Sequence, residues 1–201
     1  MKSLKILKRE RTERAFDREI KGACQVLKND GVVLYPSDTL WGIGGDAENL
    51  KVVERINAIK KRPDSKNMIV LVSSERMLQQ VVKDVPPIVW DILDNGTEAI
   101  SIIYPKASAR YGHLSPKDGS IAVRLVKSGF AHDFIAYYNK PLISTSANIS
   151  GDPSPVHFEE ISDSITDNVD YIFPNECASE LSGKASHLLS VAMNGEIRIY
   201  R

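Results

Sequence analysis

Four short stretches of this 201-residue chain gather the residue types that grip anions and small polar ligands. In the first, Ser37, Asp38 and Thr39 follow the apolar run Val32 to Leu34, and Gly42, Gly44 and Gly45 come directly after. Two hydroxyls flanking a carboxylate can orient a small ligand, and glycines let the backbone bend or approach it closely. An ordinary strand–turn–helix connection would carry the same residues. The second stretch is basic: Lys60, Lys61 and Arg62, with Lys66 resuming the charge beyond Pro63-Asp64-Ser65. Such cations either complement a helix C-terminus or bind phosphates, and charge alone does not separate the two. The third is Arg124, inside the apolar run Ser120 to Leu125. A lone buried guanidinium is costly, so Arg124 needs either a structural ion pair or a carboxylate or phosphate ligand. The fourth, Ser144, Thr145, Ser146, Asn148 and Ser150, either builds hydroxyl and Asx turns or faces a shared ligand cleft. No convincing nucleophile–base pair accompanies them, which suits positioning and charge neutralisation better than covalent catalysis.

The elements that must hold these groups alternate between strand and helix signals. Phe16, Ile20, Ala23 and Leu27 form a helical stripe that Asn29-Asp30-Gly31 stops. A buried strand at Val32 to Leu34 and a glycine turn follow, and then Asn49 caps a helix burying Leu50, Val53, Ile56 and Ile59. Pro63 ends it. Met68 to Val72 is a strand, Ser73 or Ser74 caps a short helix through Val81, and Pro86-Pro87 opens another that stops at Asn95-Gly96. Ile100 to Tyr104 and Ser120 to Leu125 are strands joined by a long polar loop, with Arg110, Tyr111 and His113, whose length suggests mobility or function. Phe130 to Tyr138 is helix and Pro141 leads a strand into the hydroxyl cluster. Ser154-Pro155 starts a helix burying Phe158, Ile161 and Ile165, and Tyr171 to Phe173 is a strand. His187 to Val191 pairs with Glu196 to Arg201 across Asn194-Gly195. In open α/β sheets, ligands bind at the carboxyl ends of strands, where the polar stretches fall.

Composition narrows the class. At this length, with 42% hydrophobic and 26% charged residues, one α/β domain can bury a full core. Lys plus Arg equals Asp plus Glu at 26 each, so no global nucleic-acid footprint exists. Residues 1–14 read as a separate basic arm and 15–201 as the domain. No run is long and apolar enough for a membrane span or a secretory signal. Cys24 and Cys177 read as reduced thiols of a cytoplasmic protein, Cys24 facing the core. The four histidines have no ligand spacing, so no metal is expected to be held by protein side chains alone.

Together, Tyr35 to Gly44, Lys60 to Lys66, Ile121 to Arg124 and Ser144 to Gly151 resemble the YrdC-like family, the L-threonylcarbamoyladenylate synthases. The resemblance runs over about residues 15 to 201. It implies a twisted, open, mixed α/β sheet with flanking helices (YrdC-like, or DHBP synthase-like) around a positive cleft, in the short single-domain form. The implied activity joins L-threonine, bicarbonate and ATP into threonylcarbamoyl-AMP and pyrophosphate, with Mg²⁺ accompanying the nucleotide. A separate tRNA-modification complex would pass the carbamoyl group to adenosine 37 of ANN-decoding tRNAs, with weak tRNA binding by this chain as a further implication.

Carried over residue by residue, the family's Lys-x-Arg motif matches Lys60 and Arg62, expected on the nucleotide phosphates with Lys66, and its Ser-x-Asn motif matches Ser146 and Asn148. Lys60, Arg62 and Ser146 would act in catalysis. Ser120, Asn148 and Arg201 would join the ATP side, and Thr39, Arg124, Ser146 and Ser186 the threonine side. Departures from the family pattern are Ser37, Trp41, Asn67 and His187. Holding a labile carbamate away from water calls for a closing loop, for which residues 105–117 are the candidate. Two other readings share the fold: a structured-RNA-binding module, disfavoured by neutral charge and the lack of aromatic interleaving, and a carbamoyl-transferring paralogue.

Overall fold

The computed structural model of the protein describes residues 2–62, 68–179 and 181–201, with side chains from residue 15 onward. Helix α1 (Lys2–Lys28) is longer than its apolar stripe. The Lys-, Arg- and Glu-rich stretch ahead of Phe16 consists of good helix formers and continues the same helix. Asp30, at φ 61°, takes the left-handed position that ends it. Strand β1 (Val33–Pro36) turns back through Ser37 to Leu40 into β2 (Trp41–Asp46), so the three glycines lie in an antiparallel strand and not in a turn. Pairing on both sides of β2 outweighs the weak strand preference of glycine. Two of the glycines are required by close approach. A Cβ on Gly44 would sit 2.6 Å from the Ile143 carbonyl oxygen and 3.1 Å from the Tyr35 ring, and one on Gly45 would sit 2.2 Å from Val52.

Asn49 caps α2 (Leu50–Ile59) by accepting from the Lys51 amide. The buried face is Val52, Val53, Ile56 and Ile59; Leu50 is exposed, because the cap sets the helix rotation one position away from the expected stripe. Pro63, the expected stop, lies outside the described residues; the helix has already ended at Ile59, and Lys61 adopts φ 52°. Next come β3 (Ile69–Val72), α3 (Glu75–Val81, capped by Ser74), α4 (Ile88–Asn95), β4 (Ile100–Tyr104), β5 (Ile121–Leu125), α5 (Gly129–Tyr138) and β6 (Leu142–Ser146). The helix expected from Ser154 is broken into a 3₁₀ turn (Phe158–Glu160) and α6 (Asp163–Thr166). Glu160 turns back to accept from Val156 and His157, and Ser162 caps anew, so two local caps replace one continuous helix. The chain closes with β7 (Tyr171–Ile172), β8 (His187–Val191) and β9 (Ile197–Ile199), the last two joined at Gly195 with φ 87°.

The strands form one mixed open sheet, ordered β7-β1-β2-β6-β3-β5-β4-β8-β9. Chain order is scrambled across it. The register sets Gly42 against Ser146, Ile69 against Ser144, Leu71 against Arg124 and Ile103 against Ala122. Partners in register face the same way, so residues from five strands share one side. Val70, Val72, Val123, Ile143 and Ile102, on the alternate side, are buried in the core.

Candidate active site

The side shared by Gly42, Ser144, Ser146, Ile69, Leu71, Ala122, Arg124 and Ile103 is the floor of a cavity of about 670 Å³. That volume falls in the usual range for small-molecule sites, roughly 300–1,000 Å³. Seven of the expected residues line it: Thr39, Arg62, Ser120, Arg124, Ser146, Ser186 and Arg201. Three guanidinium groups thus face a lining in which the described residues supply no Asp or Glu.

The β1–β2 turn is a rigid hydroxyl mount. The Ser37 hydroxyl donates to the Leu40 carbonyl (2.8 Å) and accepts the Thr39 and Leu40 amides, each at 3.1 Å. The Ser37 and Thr39 hydroxyls also share a hydrogen bond at 2.8 Å. The Thr39 hydroxyl also accepts from Arg124 Nη1 at 3.1 Å. Arg124, buried in β5, forms an ion pair with Asp38 through Nη2, while its Nε has no partner. Asp38 is the partner that a buried arginine demanded, and the turn's far side is tied down by Ser182 and Gly183 amides on the Asp38 and Thr39 carbonyls.

At the end of β6 the groups divide. Ser146 lines the cavity and donates to Asn148 Oδ1 at 2.5 Å. Asn148 does not line it: its amide donates to the Ile149 and Asp152 carbonyls. Lys60 is also turned inward, 1% exposed, with Nζ on the Ser146 carbonyl (2.5 Å), the Asn148 carbonyl (2.6 Å) and Asn148 Oδ1 (3.4 Å). Lys60 and Asn148, both expected on the nucleotide side, thus have their polar groups occupied by the protein itself in this structure. Burial, followed by Arg62, pulls the Lys60 pKa down to about 8, which leaves the ammonium charged at neutral pH. Arg62 does reach the cavity; its Nη1 is buried without a partner, and burial lowers its pKa from the ordinary value. Lys66 lies outside the described residues.

On the other flank, Ser186 pairs with buried Ser101 at 2.8 Å, and Arg201 Nε donates to the Ser186 carbonyl at 3.0 Å. The Ser120 hydroxyl and amide both donate to Asp118, at 2.8 and 2.9 Å, and those bonds hold the Asp118 carboxyl below its usual range. His187, one of the departures, is outside the cavity and pairs with Glu98, whereas Trp41 lines it and packs on Phe158. The expected loop at 105–117 contains a 3₁₀ turn (Ala109–Leu114) docked by Tyr111 and Arg110 on Glu48 and by His113 on the Ala47 carbonyl. Its Leu114 and Pro116 form part of the cavity wall. Sequence reasoning also missed Tyr35, fully buried, whose hydroxyl meets Ser144 at 2.5 Å and whose pKa burial pushes up to about 12. Only the register across the glycines of β2 brings those two together.

Residues 25–201 match the family model Sua5/YciO/YrdC, described as telomere recombination. The chain belongs to that family. Threonylcarbamoyl-AMP synthase of Pseudoalteromonas translucida is 29% identical over 181 residues, covering 89% of this chain and 95% of that protein. The enzyme of the same name from Klebsiella pneumoniae is 30% identical over 139 residues, 65% of this chain and 70% of that protein. Among solved structures, Escherichia coli YciO aligns with a TM-score of 0.79 at 23% identity, over 92% of this chain and 88% of that one. Pyrococcus abyssi Sua5 complexed with L-threonine aligns with a TM-score of 0.71 at 21% identity, over 86% of this chain. This chain spans 50% of that Sua5 chain. The structural likenesses establish the Sua5/YciO/YrdC fold, a mixed α/β architecture with one open sheet and flanking helices.

Proposed function

We propose that this protein is an L-threonylcarbamoyl-AMP synthase, consuming L-threonine, bicarbonate and ATP. One observation carries the reading beyond family membership: three arginines and a set of fixed hydroxyls face one cavity that lacks a carboxylate lining among the described residues. Such a hollow suits a polyanion beside a small amino acid. The threonine carboxylate would meet Arg124, whose Nε has no partner, and a polar group of the amino acid would meet the Thr39 hydroxyl. The nucleotide phosphates would meet Arg62 and Arg201, with Ser146 near the reacting phosphate and Ser120 and Ser186 along the wall.

In the proposed reaction the threonine amine first takes up bicarbonate carbon, losing water, to give a carbamate. A carbamate oxygen then attacks the ATP α-phosphorus, the bond to the β-phosphate breaks, and pyrophosphate leaves with the electron pair. The arginines neutralise charge on the departing pyrophosphate, and the rigid mounts fix the attack geometry. No group of three or more His, Cys, Asp or Glu comes together among the described residues, and Asp38 is engaged by Arg124. These residues do not fit a protein-held Mg²⁺; any Mg²⁺ would ride on the nucleotide. Residues 105–117 would close over the carbamate, and a tRNA-modification complex would take the product. No described helix is long and apolar enough to cross a membrane.

The test is pyrophosphate release from ATP by the purified protein. Release should require both L-threonine and bicarbonate, and the adenylate product should be found by mass spectrometry. Release that ignores threonine, or none at all, would remove the assignment.

A further inference from the structure

The Lys60-x-Arg62 and Ser146-x-Asn148 pairs each send one residue into the cavity and one into the protein. Lys61, at φ 52°, reverses the chain between Lys60 and Arg62, which is why neighbours two apart point in such different directions. The two inward residues meet each other, through Lys60 Nζ and both oxygens of Asn148. An ammonium has three hydrogens, and Lys60 has three oxygen acceptors: the Ser146 carbonyl, the Asn148 carbonyl and Asn148 Oδ1. The link is doubled by the backbone, since the Ser150 amide donates to the Lys60 carbonyl at 3.0 Å. A phosphate would have to displace acceptors that are already in place, on a side chain only 1% exposed.

We infer that Lys60 is not a phosphate ligand but a positioning residue, a strut that joins with Asn148 to hold Ser146 at its place in the cavity. Its charge serves the loop after β6, whose Ser146 and Asn148 carbonyls would otherwise converge with no donor between them. Arg62 alone of this pair carries the contact with the nucleotide. The functional half of the inference rests on ATP being bound in this cavity, and its two halves are tested separately.

Amine labelling of the intact wild-type protein with a small acylating reagent, read by mass spectrometry, tests the strut without assuming any activity. Lys60 should label at least about tenfold more slowly than exposed Lys61, in the absence of nucleotide and equally in its presence. Ready labelling without ATP that ATP suppresses would overturn the strut, because that is how a phosphate ligand behaves. Kinetics then test positioning. Lys60→Met should lower kcat at least about tenfold while KM for ATP moves less than about threefold, whereas Arg62→Ala should raise KM for ATP about tenfold or more. A rise in KM for ATP in Lys60→Met matching that of Arg62→Ala would return Lys60 to the phosphates. Asn148→Ala, which removes the other half of the strut, should speed Lys60 labelling several-fold, and an unchanged rate would refute the joint role. If the wild type shows no threonine-dependent turnover, the assigned activity fails while the labelling result still decides the strut.

Discussion

Replacing Arg124 by methionine separates threonine recognition from the rest of the site. The substitution keeps an apolar stem in β5 and removes one ion pair to Asp38 and one hydrogen bond to Thr39. Breaking a fully buried pair costs about 3–5 kcal/mol, while exposed pairs contribute about 0–1 kcal/mol. Arg124 is 5% exposed but Asp38 is 34% exposed, so water can rehydrate the orphaned carboxylate and the cost lies between those limits, about 1–3 kcal/mol. For a domain of this size that corresponds to a fall in Tm of about 2–12 °C, and the variant should fold. A charge-assisted bond to a substrate carboxylate is worth about 1.5–3 kcal/mol, which is about a 10- to 150-fold rise in KM for threonine. ATP affinity measured calorimetrically without threonine should stay within about twofold, as expected for an independent contact. Pyrophosphate release against threonine concentration is the assay. A folded variant with wild-type KM for threonine would take Arg124 off the substrate. Loss of ATP affinity in place of threonine affinity would move it to the phosphates.

Three further outcomes follow from other parts of the structure. Gly44→Ala puts a Cβ 2.6 Å from the Ile143 carbonyl oxygen, between paired backbones that cannot both retreat, and should cost about 1–3 kcal/mol in urea unfolding; an unchanged midpoint would mean the β2–β6 register is not as described. The Asp170 carboxyl is held below its usual range, first by Arg55 and then by the Val32 amide. Its stabilising contribution is therefore complete above the unfolded pKa near 4 and is lost as pH falls through the lower folded value. The Tm gap between wild type and Asp170→Asn should accordingly be widest at pH 7 and close below about pH 4, and a gap independent of pH would refute the assignment. Finally, the segment docked by Tyr111 on Glu48 should exchange its amides more slowly when ATP and threonine are both bound, and should lose that protection in part in Tyr111→Phe. Exchange indifferent to substrates would end the proposal that residues 105–117 close over the carbamate.

Elements with a local cause are legible in the amino-acid sequence alone. Ser74 and Asn49 cap where hydroxyl and amide precede apolar periodicity, Ile100–Tyr104 is strand over the expected residues, and Asn194-Gly195 marks the closing hairpin. What escapes is set by pairing at a distance. The glycines of β2 read as a turn because glycine disfavours strands, yet β1 and β6 hold them extended from both sides. Leu50 looks apolar enough for the buried face of α2, and only the position of the Asn49 cap rotates it outward.

The same division explains the site. A residue's type declares what it can bind, but not which of two polar neighbours the backbone turns toward the hollow. Arg124 advertises its need for a partner, because a guanidinium in a strand interior is intolerable alone; Asp38 satisfies it across the β1–β2 turn. Lys60 advertises no such need, since a lysine beside Lys61 and Arg62 reads as exposed charge. Its burial depends on two carbonyls 86 and 88 positions away converging on the point where its Nζ ends. Positive charge at a basic knot is thus a property of the cluster, while which of its residues faces the hollow and which turns inward is fixed by φ at Lys61 and by the loop after β6.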